Sequence, residues 1–405
     1  MGGVDLVGLA ADVGTPVFVY DEAHLRARCQ EARLAWGDGV AYATKAFLCR
    51  AMAALAHEEG LFLDVSTGGE LHVALKAGVP PDRLVLHGNN KSDAELRTAL
   101  GSGVGRIVVD SFDEFDRIER LACGAARAPQ VLVRVTPGVE AHTHEFVRTG
   151  QDDSKFGFGL ASGAAAAAVR RARKLEADGV LHLVGIHAHI GSQIFRLDAF
   201  DAEVEALGAW FASLGLDELC LGGGLGVAYV EGEDAPTIAD WAVAVKDACR
   251  RVGVPPHVRV TAEPGRSIVA GAALTLYTVG TIKEVPGIRT YVSVDGGMSD
   301  NPRPVLYGSG YEAFLPQRAA AERPWAATVV GKHCESGDVL VADAHLPAGT
   351  RVGDILATPV TGAYGLSMAS NYNKVPRPPV VFVADGRHRV VVRRETLEDL
   401  TRLDE

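Results

Sequence analysis

Ala41-Tyr-Ala-Thr-Lys45 is a short apolar run closed by a lysine, and it is the first of eight runs built on one plan. Phe62–Ser66, Leu84–Gly88, Arg106–Asp110, Val131–Pro137, Leu183–Ile190, Glu218–Gly224 and Arg259–Gly265 follow it. Each is apolar or β-branched and has the length of a buried strand. Between them lie longer Ala-, Leu- and Arg-rich stretches, such as Ala46–Glu59, Asp93–Leu100 and Ala161–Ala177, with the apolar spacing of amphipathic helices. Strands alternating with helices in this way predict parallel strands with helical crossovers, and eight such units predict an α/β fold with an eight-stranded (β/α) TIM-type barrel. The polar residues agree. Lys45, Ser66, His87, Asp110, Arg134, His189, the Gly222–Gly224 run and Glu263 all fall at C-terminal strand ends, where barrel active sites are assembled. An open doubly wound sheet would gather its chemistry at one switch point instead.

After about Ser267 helical runs become scarce. Thr275–Glu284, Thr290–Val294, Ala327–Gly331, Asp338–Asp343, Asp354–Val360 and Val380–Thr396 read as strands of an antiparallel β domain. The expected division is a barrel over 16–266 and a β domain over 267–405, joined by residues 1–15. Val17–Tyr20, strand-like and ahead of the first barrel strand, also points toward the β domain.

At 405 residues the chain has room for two such bodies, and 47% hydrophobic with 22% charged residues is a globular balance. A net charge of -11 leaves no broad basic surface, which argues against nucleic acid and for a small metabolic ligand. Six cysteines without a Cys-x-x-Cys pair suit reduced thiols in a cytoplasm. The N-terminus has no basic region followed by an apolar run, and no stretch reaches the roughly 20 apolar residues of a membrane span. Secretion and membrane insertion are not expected.

Several residues carry candidate chemistry beside a plainer reading. Lys45 is one of nine lysines against thirty-one arginines, and a desolvated amine at a strand end suits a Schiff base with an aldehyde cofactor. It could equally be a surface lysine. Leu221-Gly-Gly-Gly-Leu-Gly226 offers backbone N–H groups to a phosphate, or is simply a tight strand-to-helix turn. His187 and His189, with His182 nearby, raise a metal site, although no acidic residue stands at ligand spacing; a flat imidazole could instead stack on an aromatic ring. No metal is expected. Glu263-Pro-Gly-Arg266 holds a carboxylate that could keep a pyridine nitrogen protonated and a guanidinium that could grip an anion, or the two form a structural ion pair. Cys334, beside Glu335, is either catalytic or inert packing.

Taken in order, Tyr42-Ala-Thr-Lys45-Ala, Asp64-Val-Ser-Thr-Gly-Gly-Glu70, His189-Ile-Gly-Ser-Gln193, Gly222-Gly-Gly224, Glu263-Pro-Gly-Arg266, Cys334-Glu-Ser-Gly-Asp338 and Gly362-Ala-Tyr364 resemble the diaminopimelate decarboxylases. That family belongs to the alanine racemase-like, fold-type III pyridoxal phosphate enzymes, built as a barrel plus a β domain. The resemblance implies pyridoxal 5'-phosphate on Lys45, His189 stacked on its ring, and Glu263 facing its nitrogen. Ser192, Gly223, Gly224, Gly265, Arg266 and Tyr364 would complete the cofactor site. Arg266, Arg303, Tyr307, Glu335 and Tyr364 would hold the substrate, and Cys334 would donate a proton. It further implies a homodimer with shared active sites and decarboxylation of meso-2,6-diaminopimelate to L-lysine. One departure is Gly365, where a larger residue is common. A related decarboxylase for another basic or carrier-bound amino acid would keep Lys45 and Glu263 but lose the Arg303, Tyr307 and Glu335 set.

Overall fold

Eight parallel strands follow one another in the computed structural model, which describes residues 1–122, 127–139 and 153–405. They run Ala41–Ala43, Phe62–Val65, Leu84–Leu86, Arg106–Val109, Gln130–Thr136, His182–Ala188, Glu218–Cys220 and Arg259–Thr261. Each pairs in parallel with the next in that order. The last meets the first through backbone bonds from Ala41 N to Ala262 O at 3.0 Å and from Ala43 N to Pro264 O at 3.1 Å, which close the sheet into a barrel. The strands are shorter at their C-terminal ends than the sequence suggested, so Lys45, Ser66, His87, Asp110, His189 and Glu263 lie just beyond them, while Arg134 stays within Gln130–Thr136. Val85, Val108, Leu132 and Cys220 pack in one buried cluster of the barrel.

Local signals start and stop the helices. Ser92 and Glu95 form a reciprocal capping box on Asp93–Ser102, and Gly103 ends that helix at φ +78°. Thr237 and Asp240 do the same for Ile238–Arg251. The alanine-rich stretch makes one helix, Ala164–Ala177, which begins after Gly163 at φ +77° rather than at Ala161.

The described residues divide into two compact units: 28–227 with 235–267, which is the barrel, and 1–27 with 228–234 and 268–405. The N-terminal share of the second unit thus runs to Ala27, past the boundary expected at 16. The reason is pairing, because Val17–Asp21 lies between Ala273–Val285 and Val380–Ala384 in the β sheet. Val17, Val19, Leu274, Leu276, Ala357, Val381 and Val383 form this unit's core. The sheet is not wholly antiparallel as expected: Val17–Asp21 runs parallel to Val380–Ala384, and Arg289–Val294 parallel to Trp325–Val330. The stretch Val380–Thr396 is a hairpin rather than one strand, turning at Asp385-Gly386 with both φ values positive, the geometry of a type I′ turn. Gly365 also finds its reason here, since a Cβ there would come within 2.8 Å of the Phe18 ring and 2.9 Å of Thr361 O.

Cys29, Cys49, Cys220 and Cys249 are buried and Cys334 is exposed; Cys123 lies outside the described residues. Among the described residues, no helix is long and apolar enough to cross a membrane.

Candidate active site

The first barrel strand stops at Ala43, and Thr44–Ala46 turn at once into a 3-10 helix. Lys45 therefore leaves the sheet, and its side chain is exposed rather than buried. The expectation of a desolvated amine fails at this position. The buried lysine is Lys91, whose Nζ donates to Gly88 O, Val108 O and Glu114 Oε1 at 2.8, 2.6 and 2.7 Å.

Lys45 lines a cavity of about 250 Å³ together with Asp64, Ser66, His87, Asn89, Arg134, Phe156, His187, His189, Gly223 and Glu263. Its size is below the roughly 300–1,000 Å³ of common ligand pockets and matches a small ring. Larger clefts of about 670 and 400 Å³ open beside Trp36 and Arg259 and beside Arg106 and Gln130, at the opposite, N-terminal ends of the strands. Neither includes a histidine or a residue from the C-terminal strand ends.

Glu263 is the electrostatic centre. His87 Nε2 lies 2.8 Å from its Oε1 and His187 Nε2 lies 2.9 Å from its Oε2, with all three residues buried. Burial alone would raise this carboxyl, but the positive charge of His87 and the hydrogen bonds of both imidazoles outweigh it and hold Glu263 well below the usual carboxylate range. The two histidines respond in opposite directions. Burial would lower His87, yet the carboxylates of Asp64, 3.6 Å away, and Glu263 raise it. His187, beside only one acid, is pushed down by burial to about 4. Asp64 rises to about 6, chiefly by burial. Burial, followed by the positive charge of Lys45 and Arg134, drives His189 well below its ordinary value.

The metal reading of His182, His187 and His189 does not survive, because the strand separates them. His182 is exposed at its far end, 2.5 Å from Glu176; His187 serves Glu263; His189 follows the strand and accepts from Gly223 N at 3.2 Å. The group with metal-like spacing is His87, His187 and Glu263, whose ligand atoms lie within 4.8 Å of one another. An acid does join the histidines, contrary to expectation, but from a distant strand. Its contacts of 2.8 and 2.9 Å are hydrogen-bond lengths, closer than the roughly 3.3 Å that two ligands keep around one tetrahedral zinc.

The glycine run is required by packing. A Cβ on Gly222 would come within 2.8 Å of His189 Nδ1, one on Gly223 within 2.3 Å of Glu263 O, and one on Gly224 within 2.5 Å of Gly191 O. Gly222 and Gly224 also sit at φ +60° and +123°. Gly265 likewise lets the Glu263 turn press on the lysine turn, where a Cβ would meet Ala43 O at 2.9 Å. Arg266 donates to Ser192 Oγ at 2.9 Å. Ser192, Gly224, Gly265 and Arg266 do not line the cavity itself.

The remaining candidates belong to the β unit. Arg303 is buried, donates to Tyr311 O–H at 2.7 Å and stacks over Tyr229 at 4.3 Å; Tyr307 ends the short helix that Arg303 begins. Cys334 and Glu335 are exposed, with Cys334 N donating to Asn373 Oδ1 at 3.1 Å and Glu335 Oε1 bonded to the Tyr372 hydroxyl. Asp338 anchors the loop, accepting from Met298 N at 2.6 Å, His333 N at 2.9 Å and His333 Nδ1 at 2.8 Å. Tyr364 is held at φ +61°, a costly conformation for a non-glycine residue.

Residues 22–270 match the pyridoxal-dependent decarboxylase family through its pyridoxal binding domain. Diaminopimelate decarboxylase of Mycobacterium tuberculosis is 49% identical over 100% of this chain and 94% of its own length, and that of Bacillus subtilis is 48% identical with the same coverage. This chain belongs to the diaminopimelate decarboxylase family. A diaminopimelate decarboxylase from M. jannaschii, solved in co-complex with L-lysine, superposes with a TM-score of 0.90 at 31% identity, covering 98% of this chain and 94% of the other.

The residues fit the cofactor that a pyridoxal-dependent family implies. An accessible primary amine stands at a ring-sized cavity, opposite an anion bracketed by two donors, and the glycine wall beside it would be filled by any side chain. Sequence reading placed His87, Ser66 and Arg134 at strand ends without giving them a role. Asp64 and His187 were equally visible, but their convergence on Glu263 depends on barrel closure.

Proposed function

We propose that the chain decarboxylates meso-2,6-diaminopimelate to L-lysine and carbon dioxide, the last step of lysine biosynthesis, as a cytoplasmic homodimer with shared active sites. The observation that carries the reading is the single cavity that gathers Lys45, His189 and Glu263. The family relatives supply the substrate.

Bound pyridoxal phosphate supplies an aldehyde that joins the substrate amine and a ring that takes up the electrons left by departing carbon dioxide. Lys45 Nζ holds the cofactor covalently between turnovers. His189, fixed through Nδ1 by Gly223 N–H, presents a flat face to the ring. Glu263, kept anionic, holds a proton on the ring nitrogen. Arg266 and Ser192, with Gly223, Gly224, Gly265 and Tyr364, receive the phosphate. Arg303, Tyr307 and Glu335, with Arg266 and Tyr364, hold the substrate and read the ammonium and carboxylate at its far end. Cys334 of the other subunit gives a proton to the carbon that lost carbon dioxide.

An assay against meso-diaminopimelate, L-lysine, L-ornithine and L-arginine, with product chirality determined, tests this. Leaving buried Arg303 without a carboxylate costs a few kcal/mol, so meso-diaminopimelate should be preferred by about a hundredfold or more in kcat/KM. Equal turnover of ornithine would discard the substrate assignment.

A further inference from the structure

Glu263 does not meet the cavity as a lone carboxylate. Each oxygen already has an imidazole Nε2 within 3 Å, and the two rings meet edge to face with centroids 4.8 Å apart. The rings differ in what stands behind them. His87 has a second carboxylate, Asp64 Oδ1, 3.6 Å from the same nitrogen. His187 Nε2 faces a carboxylate oxygen, which only accepts, so Nε2 is the donor; in the neutral ring Nδ1 then carries no proton, and it is buried with no hydrogen-bond partner among the described residues. One imidazole thus sits in a two-carboxylate cage suited to a cation, and the other is suited to a single neutral tautomer.

We propose that His87 and His187 are paired positioning residues for Glu263, His87 acting as the cation and His187 as the neutral Nε2–H donor. Together they fix the rotamer of Glu263 and make it a weak base. A proton shared between a weakly basic carboxylate and a ring nitrogen stays on the nitrogen, the state the reaction needs when electrons flow into the ring. The opposed displacements of the two histidines, His87 upward and His187 downward, accord with this division. The other charged and titratable groups facing the trio are Asp64, Arg134, His189 and Cys220, with Lys45 and Glu70 acting on Asp64 behind them. The inference rests on the reading that Glu263 faces the ring nitrogen.

The test uses the holoenzyme. Nitrogen-15 NMR of labelled histidine in the wild type at pH 7 should find both nitrogens of His87 protonated and only Nε2 of His187. His187→Leu and His87→Leu should move the pH midpoint of the bound cofactor's absorbance up, by about one unit where the His87 cation is removed, because the site then binds its proton more tightly and Glu263 competes for it, and should lower kcat about tenfold with KM little changed. His187→Gln, which keeps a donor at the same reach, should stay close to wild type in both. Two neutral imidazoles in the wild type, or folded and loaded leucine variants that titrate and turn over like wild type, would overturn the pairing. Glu263→Gln separates the two layers of the argument. If it leaves absorbance and kcat unchanged, the reading of Glu263 itself fails; if it alters both while the leucine variants alter neither, only the histidine pair is wrong.

Discussion

The strand ends of the barrel and the Cys334 loop of the β unit hold their chemistry in contrasting ways. In the barrel, Glu263, His87 and His187 come from three different strands, are buried, and constrain one another through side-chain bonds. In the loop, Cys334 and Glu335 are adjacent in sequence and exposed, held from outside by Asn373 and Tyr372 and from within by Asp338. The first site is finished once the sheet closes. The second presents its groups outward and depends on a turn. On the proposed function, the exposed turn suits a group that reaches outward, whereas a group that must keep one charge state is better held in the barrel.

The largest expected effect falls on the barrel side. Lys45→Ala should lose the covalent absorbance band of the cofactor and nearly all turnover, about a thousandfold or more, while the protein folds normally because the side chain is exposed. Borohydride trapping and peptide mapping of the wild type provide the check, and label on any other lysine would break the contrast at its root. The next effect falls on the loop. Mixing inactive Lys45→Ala subunits with inactive Cys334→Ala subunits should restore activity to about a quarter of wild type under random assortment, since half the dimers are hybrids with one intact site each. Verified hybrids that stay dead would return Cys334 to its own subunit's site or remove it from catalysis. The smallest effect sharpens the comparison. Asp338→Ala should lower kcat about tenfold by loosening the loop while leaving cofactor absorbance intact. Loss of cofactor in that variant would mean that the two regions are not separable.

The barrel was legible because each strand is short, apolar and ended by a polar residue, a local pattern that needs no knowledge of neighbours. Lys45, His189 and Glu263 were found by that position. The bonds between His87, His187 and Glu263 were not, since His87 and Glu263 stand 176 residues apart and only closure of the sheet joins them. Tyr-Ala-Thr-Lys left a buried and a surface reading of Lys45 equally open, because the 3-10 turn that lifts it out leaves no mark in the sequence. The hairpin at Asp385-Gly386 was missed although Asp-Gly is a turn signal, because β-branched residues on both sides read as one strand. The two parallel pairings of the β sheet depend on where the N-terminal strand inserts, which no local pattern reports.

Closure of the barrel also sets a clock. The bonds from Ala41 and Ala43 to Ala262 and Pro264 join residues separated by roughly 220 positions, which a ribosome adding 5–20 residues per second spans in on the order of ten to forty seconds. Throughout that interval the nascent chain carries Lys45 without Glu263. A reactive aldehyde meeting the unfinished protein finds an ordinary amine, with no carboxylate yet installed across the barrel, so competence arrives late and all at once.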